Sequence, residues 1–82
     1  MISDLNLSIG DIVVDQVTSE VGLLVDHYVL TNRGPEDPLA LWVWDIYWIG
    51  KSIPPEDRLK TWTEYGLVNI IKAGTFKHFK DI

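Results

Sequence analysis

Short apolar runs separated by turn residues make up most of this chain, and that pattern predicts β-strands. Ile12-Val13-Val14 is a β-branched run that follows the turn pair Gly10-Asp11. Residues 23–30 are again strand-like, residues 61–65 form a short alternating segment, and residues 67–72 form a closing β-branched run. No segment has ten or more residues of helical periodicity. The pattern therefore predicts an all-β fold.

Two polar segments are predicted to be long loops. Residues 31–38 combine two prolines and a glycine with charged and amide side chains. Residues 51–60 contain Pro54-Pro55 followed by acids, which favours one helical turn, because proline suits the first helical position and acids suit the helix dipole. We predict a single domain over residues 1–74 and a C-terminal arm over residues 75–82.

The segment LALWVWDIYWIG at residues 39–50 contains three of the four tryptophans. Side chains alternate along a strand, so this segment has two largely apolar faces. The odd-numbered side chains are Leu39, Leu41, Val43, Asp45, Tyr47 and Ile49, and the even-numbered ones are Ala40, Trp42, Trp44, Ile46 and Trp48. One set lines the core, while the other faces outward or lies against a neighbouring element. A bulge near Asp45 would exchange the two faces.

The second face has two explanations. In the first, the long loops and the arm fold over it, with Phe76 and Phe79 packed on the tryptophans. In the second, which we favour, it is a contact surface, since large exposed apolar patches mark interaction sites and tryptophan is enriched at hot spots. The residues predicted to form this protein interface are Trp42, Trp44, Ile46, Trp48, Phe76 and Phe79.

The energy of such a contact favours repeated assembly over a solitary complex. Burying three tryptophans removes on the order of 450–600 Å² from water, an upper bound of roughly 11–15 kcal/mol. Association itself costs an estimated ~4–15 kcal/mol, so one patch gives modest binary affinity. The same contact becomes strong when it is repeated in a homo-oligomer or a larger particle.

Composition excludes several classes of protein. At 82 residues with 46% hydrophobic and 23% charged residues, the chain is one ordinary globular domain. Its formal net charge of −5 disfavours nucleic acid, whose binding depends on Lys and Arg. With no cysteine, it offers neither a disulfide nor a thiolate. The acidic start predicts no secretory signal, and no apolar run is long enough for a membrane helix, so we predict a soluble protein.

The sequence contains no recognisable catalytic or metal-binding pattern. His27 and His78 are the only histidines, and no Ser-His-Asp order can be argued around them. His27 is expected to be a solvent-facing strand residue. The acids near the first strands lack the spacing of a calcium loop and are expected to be solvated edge charges. We predict no enzymatic activity, no cofactor and no metal site.

Four short motifs resemble the SH3-like barrels of the KOW and Tudor types. Gly10-Asp11-Ile12-Val13 and Gly22-Leu23-Leu24-Val25 match the first two strands, and Leu41-Trp42-Val43-Trp44-Asp45 matches the middle one. Trp62-Thr63-Glu64, with the run that follows it, matches the close of the barrel. The resemblance covers about residues 9–72. It implies a small barrel of about five strands, here with two long loops and a C-terminal arm.

The chain also departs from that pattern. The usual tight turn after Trp-Asp is missing, because the strand continues through Ile46-Tyr47-Trp48-Ile49. A basic groove for RNA is absent, and an aromatic cage for methylated lysine or arginine cannot be assigned to particular residues. These departures weaken the resemblance to the nucleic-acid-binding and methyl-binding forms.

Compact chains of this kind resemble small proteins encoded by tailed bacteriophages. That resemblance implies a minor virion component, such as a capsid decoration or a head–tail connector or neck protein, assembled in the host cytoplasm. Its partners would be proteins or further copies of itself. The alternative is an SH3-, Tudor- or KOW-like binding module that recognises a peptide or nucleic acid.

Overall fold

One antiparallel β-sheet with a helix packed on one face forms the framework of the protein. The elements in chain order are β1 (Ile12–Asp15), β2 (Val21–Leu30), β3 (Leu41–Ile49), a 3₁₀ turn (Pro55–Asp57), β4 (Leu59–Thr63), α1 (Glu64–Lys72) and β5 (Phe76–Phe79). The strands lie in the order β4-β3-β2-β1-β5. This computed structural model describes residues 6–31, 36, 38, 40–50 and 53–80.

The prediction of a mainly β fold with five strands is confirmed, but the sheet does not close into a barrel. Among the described residues the edge strands β4 and β5 do not pair with each other, so the sheet stays open. The helical turn expected after Pro54 is the 3₁₀ turn. Most of the loop predicted over residues 31–38 lies outside the described residues. No helix in the described part of the chain is long and apolar enough to cross a membrane.

The run predicted as the last strand is a helix. Thr63 begins α1 as its N-cap, and its Oγ1 accepts a hydrogen bond of 3.0 Å from the backbone N–H of Gly66. Glu64 lies in the first turn and Lys72 in the last, which suits the helix dipole. The β-branched composition suggested a strand, but propensity is a weak preference. Burial of Leu67 and Val68 in the packed helix outweighs the strand preference of the β-branched residues.

The predicted arm is part of the sheet over Phe76–Phe79. Phe76 is buried in the core, and β5 pairs with β1 along its whole length. A buried carboxylate also anchors this strand: Asp11 Oδ2 lies 2.7 Å from Nε2 of His78 and 3.3 Å from Nζ of Lys80. The division into a domain over residues 1–74 and a separate arm therefore does not describe this fold.

The helix covers one face of the sheet, here called the inner face. Its core consists of Val13, Leu24, Trp44, Ile46, Trp48, Leu67 and Phe76. Gly22 pairs with Trp48, and a Cβ at that glycine would lie 2.6 Å from Cγ2 of Ile46, so no larger side chain fits there. The register irregularity is in β2, between Leu24 and Asp26, rather than near Asp45 in β3. Alternation along β3 is therefore unbroken.

Candidate interaction surface

Four of the six predicted interface residues lie inside the protein. The exposed fractions are 2% for Trp44, 0% for Ile46, 7% for Trp48 and 4% for Phe76. The prediction that these four form an outward surface is wrong, because the even-numbered side chains of β3 point toward α1. Phe76 contacts the same core from β5, with its ring centroid 5.3 Å from that of Trp48.

The other two predicted residues are exposed, but they do not share a surface. Trp42 is 46% exposed at the end of the inner face, where it lies beside His27 with ring centroids 4.9 Å apart. Phe79 is 45% exposed on the opposite side of the sheet, here called the outer face. Whether either one contacts a partner stays a prediction.

The outer face carries an apolar row that crosses all five strands. Pairing across the sheet aligns Phe79 on β5, Ile12 on β1, Leu23 on β2, Tyr47 on β3 and Leu59 on β4. We call these five residues the outer row. Four of them are well exposed: Ile12 at 39%, Tyr47 at 40%, Phe79 at 45% and Leu59 at 55%. Four strand spacings of about 4.8 Å make the row roughly 19 Å long.

A second aligned set extends this apolar area on one side. Val14, Val21 and Ile49 pair across β1, β2 and β3, and Ile49 is more than half exposed. Lys77 continues the set on β5, with its Nζ 6.0 Å from the ring centroid of Phe79. Together the two sets form a patch that is uncharged except at the β5 edge, where Lys77 lies.

Polar side chains border the outer row on its other side. Asp45 Oδ1 accepts hydrogen bonds from the Tyr28 hydroxyl at 3.0 Å and from the Thr61 hydroxyl at 2.6 Å. The hydrogen bond to Asp45 raises the pKa of Tyr28 above its ordinary value, because the carboxylate stabilises the protonated phenol. The apolar patch is therefore bounded by groups that already have partners within the chain.

The sequence contained a signal for this patch. Both sets of side chains on the tryptophan strand are largely apolar, and the prediction placed the tryptophan set on the outside. The pairing of Trp48 with Gly22, which only the strand register shows, identifies the tryptophan face as the inside, because a glycine in a strand permits close packing of a large ring. Ile12, Leu23 and Leu59 were missed, since they join Tyr47 only through the strand pairing.

His27, expected to face solvent, is only partly exposed, at 30% of its side chain. Its ring stacks on Trp44 with centroids 4.1 Å apart and planes 10° apart. Glu64 Oε1 accepts a hydrogen bond of 3.0 Å from Nε1 of Trp44 and lies 2.9 Å from Nε2 of His27. That second contact is a close electrostatic approach rather than a well-directed hydrogen bond. The cluster ties the start of α1 to β2 and β3, which is a structural role.

The second histidine also has a structural role. Nε2 of His78 bonds to the fully buried carboxylate of Asp11, which also accepts the backbone N–H of Ser8 at 3.0 Å. The Ser8 hydroxyl accepts a hydrogen bond from Lys80, whose ammonium also reaches the carbonyl of Asn6. The Ser8 hydroxyl is thus bonded to the ammonium group of Lys80. This arrangement fastens the chain before β1 to the end of β5.

No protein-family model matches the chain, and neither a curated protein nor a solved structure shows significant similarity to it.

Proposed function

We propose that this is a non-enzymatic interaction protein that assembles through the outer face of its sheet. The observation that supports the proposal is the outer row, an exposed apolar band across all five strands. The largest apolar patch on a typical monomer covers about 300–600 Å² and is often functional. The outer row with Val14, Val21 and Ile49 is of that order.

We propose that the occupant of this face is a second copy of the chain. Sheets pack face to face at about 10 Å separation. A contact that covers the outer row together with Val14, Val21 and Ile49 buries on the order of 500–700 Å² on each copy. The total of about 1,000–1,400 Å² lies at the lower end of specific interfaces, which predicts association in the micromolar range. Such a dimer is a natural building block of a larger assembly.

The arrangement of the outer row suits two-fold symmetry. Leu23 lies on the central strand and is the midpoint of the row. A two-fold axis that runs parallel to β2 and passes between the two sheets at Leu23 places Leu23 against its own copy. The same axis places Ile12 opposite Tyr47 and Phe79 opposite Leu59. The contacts between the two outer rows are apolar, and the nearest carboxylates on this face, Asp26 and Asp45, lie beside the rows rather than within them.

Sedimentation velocity over about 1 µM to about 500 µM protein tests self-association, because that range brackets a micromolar dissociation constant. We expect the average mass to rise from monomer to dimer. Tyr47→Glu places a charge in the outer row and is expected to hold the protein monomeric throughout. Tyr65→Glu is the matched control, because Tyr65 is 73% exposed on α1, away from the outer face.

The result that would overturn the proposal is a wild-type protein that stays monomeric at every concentration. Equal weakening by Tyr47→Glu and Tyr65→Glu would also overturn it, since the effect would then come from net charge alone. Higher salt is expected to strengthen the dimer, because it screens repulsion between acidic copies.

The narrower proposal is that the assembly is a tailed-phage particle containing this protein as a minor component, such as a decoration or a connector or neck piece. The resemblance of this compact chain, in general character and length, to small phage proteins supports it. Mass spectrometry of particles purified from host cells is the direct test, and we expect the chain to be present in fixed copy number. Recovery only from the soluble host fraction would count against the virion role.

A further inference from the structure

A cleft of about 550 Å³ opens on the inner face, between the β1–β2 turn and the segment that joins β3 to β4. This volume is within the range of about 300–1,000 Å³ typical of small-ligand sites. The cleft lies on the opposite side of the sheet from the outer row, so it is independent of the assembly proposed above.

Three aromatic rings line this cleft. Phe76 makes edge-to-face contacts with both Trp48 and Trp62, with centroid distances of 5.3 Å and 5.4 Å. Trp48 and Phe76 are buried, and Trp62 is half-buried. The aromatic part of the cleft is thus held by the core, and Trp62 is its most accessible ring.

Carboxylates surround the aromatic rings. Asp15, Glu20, Asp57 and Lys60 are the charged residues that line the cleft in the described part of the chain. The β1–β2 turn orients the first two: Asp15 Oδ1 accepts the backbone N–H of Val17 at 2.9 Å, and Glu20 accepts the Thr18 hydroxyl at 3.1 Å.

Acidic side chains outnumber basic ones among the described residues of the lining. Lys60 Nζ lies 3.8 Å from Asp57 Oδ1, and both side chains are about half exposed. Such solvent-exposed pairs are weak. The lining residues therefore carry three negative charges and one positive charge beside an aromatic surface.

We propose that this cleft binds the arginine side chain of a partner peptide. A cation is favoured over the faces of tryptophan and phenylalanine, and a planar guanidinium both stacks on indole and bonds to carboxylates. A lysine ammonium fits less well, because it offers a compact charge with no flat face. Charge complementarity thus selects the occupant, and the aromatic surface selects guanidinium among cations.

The test is an NMR titration with a blocked pentapeptide in which one arginine lies between pairs of glycines. The matched probe contains citrulline, which keeps the planar shape but has no charge. We expect the indole N–H signal of Trp62 to shift with the arginine peptide at a dissociation constant on the order of 0.1–1 mM, as suits a single anchored side chain. The citrulline peptide is expected to bind at least about tenfold more weakly.

Two substitutions that change charge in opposite directions make the test specific. Glu20→Gln is expected to weaken arginine-peptide binding about threefold, while Glu56→Gln, which removes the same charge outside the cleft lining, leaves it unchanged. Lys60→Met is expected to tighten binding about threefold, because it removes the cation that competes for Asp57. A destabilised fold would not produce tighter binding.

Three results would overturn the proposal. One is the absence of any shift with the arginine peptide at several times the expected dissociation constant. Another is equal binding of the citrulline peptide, which would make the cleft an apolar site without charge selection. The third is an equal effect of Glu20→Gln and Glu56→Gln, which would attribute binding to the overall field of the protein.

Discussion

The two faces of the sheet are made from the same strands but differ in what covers them. On the inner face Leu24 and Ile46 are fully buried in the core that Leu67 of α1 completes. On the outer face Ile49 and Leu59, side chains of similar size and polarity, are more than half exposed. The difference comes from the supply of covering elements and not from the residues themselves.

The described part of the chain builds two layers. One sheet and one nine-residue helix form a single core, and domains bury an apolar face only by packing another element on it. No element in the described part of the chain packs on the outer row. Its apolar side chains are therefore available to a layer supplied from outside the chain.

The largest expected effect is on the inner face. Leu67→Ala removes a fully buried side chain of α1, and we expect the free energy of unfolding to fall by about 2–5 kcal/mol. Leu59→Ala makes the same chemical change in the outer row and is expected to cost less than about 1 kcal/mol in the monomer. Urea denaturation at concentrations below self-association measures both. Equal losses would contradict the distinction between the faces.

A smaller effect is expected where β5 is fastened to the sheet. Asp11→Asn removes the buried charge that His78 and Lys80 contact, and it is expected to cost about 1.5–3 kcal/mol. Hydrogen exchange should show that protection is lost first in β5, because this strand depends on the anchor. Asp26→Asn, an exposed carboxylate on the outer face, is the control and should change stability by about 0.5 kcal/mol or less.

The smallest effect concerns the polar border of the outer row. The pKa of Tyr28 is raised in the folded protein above its ordinary value of 10.0, so its contribution to stability is present below about pH 10. It is lost as the pH rises through the folded pKa. The stability difference between wild type and Tyr28→Phe should therefore shrink above about pH 10, as measured by urea midpoints. In an Asp45→Asn background the variation with pH should be much smaller, because Asp45 is the largest cause of the raised pKa, and a variation of undiminished size there would refute the assignment.

Much of the strand framework was predictable, and the placement of the aromatic side chains was not. The runs that become β1, β2 and β3 were identified because alternation and turn residues are local signals. The helix was missed because its β-branched residues satisfy a strand pattern until Leu67 is packed on the sheet. Little of the candidate surface was predictable: of the six predicted residues only Trp42 and Phe79 are exposed, and only Phe79 belongs to the outer row.

By itself the sequence determined that β3 has two apolar faces and that turns separate it from its neighbours. Only the tertiary structure decided which face is inside. Side-chain alternation along β3 gives two similar apolar faces, and the buried one is the face on which α1 packs. Strand pairing then brought Ile12, Leu23, Tyr47, Leu59 and Phe79 into one line. These residues are far apart in the chain, and only the hydrogen-bonded register makes them a single surface.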